Sequence, residues 1–147
     1  MNELKLELQA LGMTDVFIDH LLKVKEIDSI SYYCHKPIEI YKTNLLSRNI
    51  VPLWEYGVRI TYYDKSDGEY KFVTSLEEEV VWFSANTLQG ALATLFESLC
   101  GDYMDEDNIR YLADAFGFSH VEKMINEGDD IFDDDVYEKW FREFDRN

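Results

Sequence analysis

Hydrophobic positions at the start of the chain recur at helical spacing. Leucines share one face over residues 3–11, which predicts a helix ending at Gly12, although the first leucines also alternate as in a strand. Thr14 is a good N-cap for a second helix, whose apolar residues continue up to about Ile27. Two N-terminal helices are therefore predicted.

The middle of the chain changes to an alternating pattern. Runs rich in Val, Ile, Tyr, Thr and other aromatics fit a pleated, half-buried surface. These predicted strands cover residues 50–54, 58–63, 70–75 and 80–83. Gly68 lies in the loop between the second and third runs, where it can take the positive φ of a hairpin. The pattern indicates an antiparallel meander.

From Thr87 onward the helical period returns. One apolar stripe predicts a helix that ends at Gly101, and Asp105 is placed to cap a second helix closed by Gly117. Ser119 and Glu122 have the spacing of a capping box for a short third helix.

The last helix follows three aspartates at residues 133–135, which favour the positive end of a helix dipole. Its predicted apolar side consists of Val136, Tyr137, Trp140, Phe141 and Phe144. Helices, then strands, then helices predict an α+β fold, an antiparallel sheet flanked by N- and C-terminal helices and covered on one face. A length of 147 residues predicts a single domain over residues 1–147.

The composition indicates a hydrophobic core and a large negative net charge. Hydrophobic residues make up 46% of the chain, and its 22 aromatic residues are too many for a disordered acidic tail. Thirty acidic residues against 14 basic ones give a net charge of −16, of which −11 falls in residues 97–147. Such charge repels nucleic acid and membranes and attracts basic partners.

The expected compartment is the cytoplasm. The longest apolar run covers residues 80–83, far too short to span a bilayer, and the N-terminus has no secretory pattern. Cys34 and Cys100 form no CxxC, which favours buried thiols in a reducing environment.

Candidate catalytic and metal patterns are weak. Cys34 and His35 are neighbours, but neighbours in an extended strand project to opposite faces, so a buried thiol is favoured over a nucleophile. Neither His20 nor His120 has a second zinc ligand at helical spacing. The acidic stretches at residues 105–108 and 129–135 lack the EF-hand pattern and favour solvated helix caps over calcium sites. We therefore expect no enzyme activity, no metal and no cofactor.

Aromatic residues cluster in and around the predicted sheet. They are Trp54, Tyr56, Tyr62, Tyr63 and Trp82. Any that face outward beside nearby acids would anchor a basic protein partner, since aromatics supply contact area and charges supply selectivity. The alternative is that all five fill the core.

The central segment resembles the SUKH superfamily. The resemblance is carried by residues 50–57 (IVPLWEYG), 60–64 (ITYYD) and 67–70 (DGEY), with an acid-containing, leucine-rich helix at residues 87–100. It covers about a third of the chain. The resemblance implies an α+β immunity protein that binds and neutralises a bacterial polymorphic toxin, often a nuclease or deaminase, and it implies no catalytic residue.

These observations predict a cytoplasmic binding protein, monomeric or homodimeric, that covers the active site of a basic toxin domain through an acidic surface. The predicted partner-binding residues are Trp54, Glu55, Tyr56, Tyr63, Asp64, Asp67, Glu69, Glu77, Glu78 and Glu79. Two alternatives stay open: a regulatory or scaffold module without a toxin, and an unrecognised hydrolase, which would need a pocket of converging carboxylates.

Overall fold

A computed structural model describes residues 3–31, 33–34, 49–56, 59–74, 77–102, 104–127 and 134–146. For residues 74, 77–80, 82, 134 and 135 it describes the backbone alone. The chain divides into two compact units, Met1–Ala85 and Asn86–Asn147. The expected single domain stays a prediction.

The first unit begins with two short helices, α1 (Glu3–Ala10) and α2 (Asp15–Leu21). As predicted, Gly12 has a positive φ of 91° after α1, and the Thr14 hydroxyl caps α2 by accepting the Phe17 N–H at 3.3 Å. Helix α2 ends well before Ile27, and a 3₁₀ turn follows at Asp28–Ile30.

The early end of α2 has a tertiary cause. His20 is buried, and its Nδ1 accepts the Ile27 N–H at 2.9 Å, so Nε2 carries the proton and donates to the Cys34 carbonyl at 2.5 Å. The chain must turn to reach these partners, and Lys23 takes a positive φ of 60° directly after the helix. The predicted extension to Ile27 is therefore wrong.

The other elements described in the first unit are the four strands of an antiparallel sheet in the order β1-β2-β3-β4. Its strands are β1 (Ile50–Tyr56), β2 (Arg59–Asp64), β3 (Glu69–Thr74) and β4 (Glu77–Ala85). Gly68 has a φ of 74° in the β2–β3 turn, as predicted. The predicted meander and the α+β class are confirmed.

Burial within the sheet departs from simple alternation. Every residue from Ile50 to Glu55 in β1 is buried, and in β2 the consecutive residues Ile60, Thr61 and Tyr62 are buried. The β1–β2 register also shifts between Pro52 and Trp54, as at a β-bulge. Both faces of β1 are thus covered, whereas one covered face was expected.

The second unit is helical in the residues described. It contains α3 (Leu88–Gly101), α4 (Glu106–Phe116), α5 (Val121–Glu127) and α6 (Asp134–Phe144), and α3 contacts each of the other three. Aromatic rings fill the space between them, including the stacked pair Phe96 and Phe118, whose centroids are 4.9 Å apart.

Most predicted helix ends in this unit are confirmed. Thr87 caps α3 and Asp105 caps α4, each through its side-chain oxygen, and Gly117 closes α4 with a φ of 79°. In contrast, the capping box is wrong: Ser119 Oγ donates to Gln89 Oε1 at 3.1 Å. The carboxylate of Glu122, its expected partner, binds Arg110 at 2.8 Å.

Helix α6 has the predicted apolar side with one exception. Trp140, Phe141 and Phe144 are buried, but Val136 is 50% exposed. Among the described residues, no helix has the length and apolar character needed to cross a membrane.

Candidate functional site

Two of the predicted partner-binding residues lie in the interior. Trp54 is 3% exposed and Glu55 is 6% exposed. The Trp54 ring packs on Phe17 of α2, with centroids 5.4 Å apart. Tyr62, another aromatic of the predicted cluster, is also buried. Burial removes these side chains from any surface that a rigid partner could reach.

Tyr56 and Tyr63 are partly exposed but lie far apart along the sheet. Tyr56 pairs with Arg59 at one end of the β1–β2 ladder, whereas Tyr63 pairs with Val51 near the other. The Tyr56 ring has a separate neighbour, Tyr33, whose ring centroid is 5.2 Å away. The structure therefore separates two aromatics that the sequence suggested as one cluster.

The acids of the β2–β3 turn are largely engaged within the turn. Lys71 forms ion pairs with Asp64, at 2.9 Å, and with Asp67. Asp64 also accepts hydrogen bonds from the Ser66 hydroxyl and the Ser66 N–H, and Asp67 accepts the Glu69 N–H at 3.0 Å. The turn is a locally satisfied loop and carries little surplus charge.

The pKa values of these groups follow from the same contacts. The Ser66 hydroxyl, followed by Lys71, lowers the pKa of Asp64 to about 2. Hydrogen bonds from Lys71 to Asp67 and Asp64 raise the pKa of the Lys71 ammonium. Burial raises the pKa of nearby Tyr70 to about 12. At neutral pH the Asp64 carboxylate and the Lys71 ammonium are thus both held in their charged forms.

The remaining predicted contacts lie in β4. Glu77, Glu78 and Glu79 open this strand, but their side chains and that of Trp82 are outside the described residues. On the other strands, Asp64 and Glu69 are partly exposed, and the Asp67 side chain is 42% exposed.

The cysteine proposed as a weak candidate nucleophile is inaccessible. Cys34 is fully buried, and desolvation raises the pKa of its thiol well above its ordinary value. A buried thiol is a poor nucleophile because the reactive species is the thiolate. Its neighbour His35 lies outside the described residues. The preferred interpretation of Cys34 as a buried structural thiol is confirmed.

In the described ranges, the histidine and acidic side chains do not cluster as the ligands of a metal ion would. His20 uses both ring nitrogens on backbone partners, and the His120 ring lies against Phe118 and Phe144, 6.1 and 5.8 Å away between centroids. Within the described part of the chain, no three His, Cys, Asp or Glu side chains are grouped to hold an ion. Asp105 serves as a helix cap.

An exposed aromatic on α4 was not among the predicted contact residues. Tyr111 is 62% exposed and lies on the same helix as Glu106, Asp107 and Asp114, all exposed. The signal was available: Tyr111 falls outside the apolar stripe of Ile109, Leu112, Ala113 and Phe116.

The second unit also concentrates the negative charge. Residues 86–147 contain 16 acidic and 5 basic side chains, a net charge of −11. Three of the basic residues form ion pairs with two or more carboxylates each. They are Arg110, Lys123 and Arg142.

Comparisons with protein-family models, curated proteins and solved structures found no match.

Proposed function

We propose that this chain is a cytoplasmic, non-enzymatic binding protein that neutralises a bacterial polymorphic toxin by covering the toxin's active site. The partner would be a basic domain, such as a nuclease, and the protein would act as a monomer or homodimer. The SUKH-like pattern of residues 50–70 motivates the immunity role. The physical basis is charge complementarity between an acidic inhibitor and a basic enzyme.

The observation that carries this proposal is the unneutralised charge of the second unit. Arg110, Lys123 and Arg142 are shared among seven carboxylates, out of 16 acidic residues in residues 86–147. Acidic residues outnumber basic ones by 11 in this unit, so it keeps a large net negative charge however its ion pairs are arranged. A basic protein surface would supply the missing cations, whereas nucleic acid would add repulsion.

The chemistry of the best candidate nucleophile supports a binding role over catalysis. The thiol of Cys34 is buried and held protonated, and Asp64 and Asp67 of the β2–β3 turn share an ion pair with Lys71. In the proposed interface, the sheet would contact the partner through the partly exposed residues of that turn and through Tyr56 and Tyr63. A standard interface of about 1,600 Å² would extend well beyond them.

The test is co-expression with the effector encoded by the adjacent gene, followed by a growth assay and co-purification. We expect protection from the effector and a stable complex. The association rate should fall as salt rises, because steering is screened beyond about 8 Å at physiological ionic strength. A chain that neither protects nor binds contradicts the proposal, and capture of a resident cellular protein in its place would favour a regulatory or scaffold module.

A further inference from the structure

One face of α4 projects into solvent without a covering element in the described residues. Asp107, Tyr111 and Asp114 follow one another at i, i+4 and i+7, so they form a single stripe along this helix. All three are exposed. We call this stripe the α4 face. The opposite side of the helix supplies buried residues to the unit's core, which fixes the orientation of the stripe.

Tyr111 is the most exposed aromatic side chain of the second unit among those described. Its exposed fraction is 62%, and within the described ranges no hydrogen bond or ring contact involves it. The other large aromatics of this unit, such as Phe116 and Trp140, are buried. A rigid aromatic ring left in water on a helix that has a full apolar stripe elsewhere contributes nothing to the core. It does offer a flat surface to a partner.

The charge around Tyr111 is negative in the described part of the chain, and Arg110 does not cancel it. Arg110 is the one cation of α4, and it is already divided among Glu106, Asp107 and Glu122, at 3.6, 3.5 and 2.8 Å. Asp114 has no cation within ion-pair distance among the described residues. The surface beside the ring therefore has free acceptor capacity for positive charge.

We propose that the α4 face is a docking surface for a Lys/Arg-rich segment of a protein partner, with Tyr111 as its aromatic anchor. A lysine or arginine side chain would place its aliphatic stem or charged end over the ring and pair with Asp107 or Asp114. The flanking carboxylates select against nucleic acid and acidic partners. This inference rests on the proposed function, since it locates the contact with a basic partner.

The contrast with the β2–β3 turn supports this choice of surface. There, Lys71 binds both Asp64 and Asp67 within the turn, and Lys65 pairs with Glu7. An incoming cation would have to displace these internal partners. On the α4 face, Asp114 needs no such exchange.

The experiment titrates the full-length chain into a fluorescein-labelled oligolysine peptide at low salt and follows anisotropy. We expect the double variant Asp107→Lys, Asp114→Lys to bind about tenfold more weakly. Tyr111→Ala should bind about threefold more weakly, because a surface cation–π contact is lost, and Tyr111→Phe should bind like the parent.

The matched control is Glu26→Lys, Asp28→Lys, which makes the same change in net charge at two exposed positions of the first unit. Its affinity should fall much less than that of the α4 pair. Equal losses in both double variants, or unchanged binding by Tyr111→Ala, would overturn the docking surface. Circular dichroism and thermal unfolding verify that each variant is folded.

The same variants in the co-expression assay separate this inference from the proposed function. Full protection by the α4 variants would show that the toxin is bound elsewhere, which overturns the α4 face while the immunity role stands. If the α4 variants lose peptide binding and the parent chain gives no protection, the α4 face is supported and the immunity role is contradicted.

Discussion

At the scale of single residues, Asp64 is held in its charged form by donors of its own turn. The Ser66 hydroxyl and then Lys71 lower its pKa to about 2, against about 3.9 for an ordinary aspartate. Because the folded-state pKa is below the unfolded value, the carboxylate stabilises the fold above about pH 4. That contribution is lost as the pH falls toward 2.

Asp64→Asn should therefore lower the free energy of unfolding by about 1 kcal/mol at pH 7, after allowance for solvent screening of this partly exposed group. The difference between variant and parent should shrink by about half at pH 3. Urea titrations followed by circular dichroism at several pH values measure it. A difference that stays constant from pH 7 to pH 3 would show that the charge of Asp64 is irrelevant to stability.

The two cysteines should differ sharply in reactivity. Cys34 is fully buried with a raised thiol pKa, whereas Cys100 is partly exposed. With Ellman's reagent at pH 8, the native chain should release one equivalent of product quickly and the second at least about tenfold more slowly. Cys100→Ser should remove the fast phase, and guanidinium should make both thiols react alike. A fast phase that survives in Cys100→Ser would place Cys34 at the surface.

At the scale of elements, the residue that follows α6 caps the start of α3. The buried Asp145 carboxylate accepts the Asn86 N–H at 2.8 Å, the Thr87 N–H at 2.8 Å and the Thr87 hydroxyl at 2.9 Å. Arg142 pairs with it at 2.9 Å, and Thr87 in turn accepts the Gly90 N–H. A single carboxylate thus satisfies donors at a helix N-terminus, where the dipole also favours negative charge.

Asp145→Ala should lower the free energy of unfolding by about 3 kcal/mol, since the donors of Asn86 and Thr87 lose a charged acceptor and Arg142 keeps its ion pair with Glu138 but loses the one with Asp145. The matched control is Glu143→Ala, two residues earlier, whose ion pair with Lys123 is exposed and screened by solvent, so its loss of stability should be much smaller. Chemical denaturation of both variants makes the comparison. Similar losses in the two would mean that the Asp145 contacts do not hold these helices together.

Which elements the sequence predicts depends on how local their determinants are. Thr14 and Asp105 were predicted as helix caps because their donors lie three residues away, within the local sequence pattern. Thr87 caps α3 at the same spacing. The role of Asp145 in capping α3 was not predicted, because its partner Thr87 is 58 positions distant. A donor so far along the chain leaves no local pattern.

Errors occur where a distant partner competes with a local one. The capping box fails because Gln89, 30 residues away, binds Ser119 while Arg110 takes Glu122. The predicted end of α2 fails because His20 draws the Ile27 N–H out of a helical bond. In both cases local spacing was correct, and a contact between elements decided the outcome.

At the scale of the whole molecule, the candidate site was only partly predictable. Alternation indicates two faces of a strand but not which are covered, so the burial of Trp54 and Glu55 in β1 could not be inferred. The charge asymmetry was visible from counting residues. Which acids form ion pairs could be learned only from the distances between carboxylates and cations. Those distances distinguish Asp64, which lies beside Lys71, from Asp114 on α4.

The net charge of −16 predicts that salt stabilises the folded chain. Two like charges about 10 Å apart in water repel by about 0.4 kcal/mol, and raising NaCl from about 0.01 M to 0.15 M shortens the screening length from about 30 Å to 8 Å. Acids outnumber bases 30 to 14, so repulsion outweighs the ion pairs that salt also weakens. The free energy of unfolding should therefore rise by on the order of 1 kcal/mol, measured by urea titration at each salt concentration.

This salt-dependent gain in stability should be smaller in the double variant Asp107→Lys, Asp114→Lys than in Glu26→Lys, Asp28→Lys. The reason is that residues 86–147 hold −11 of the net charge. A decrease in stability with salt would show that the attractive pairs around Arg110, Lys123 and Arg142 dominate.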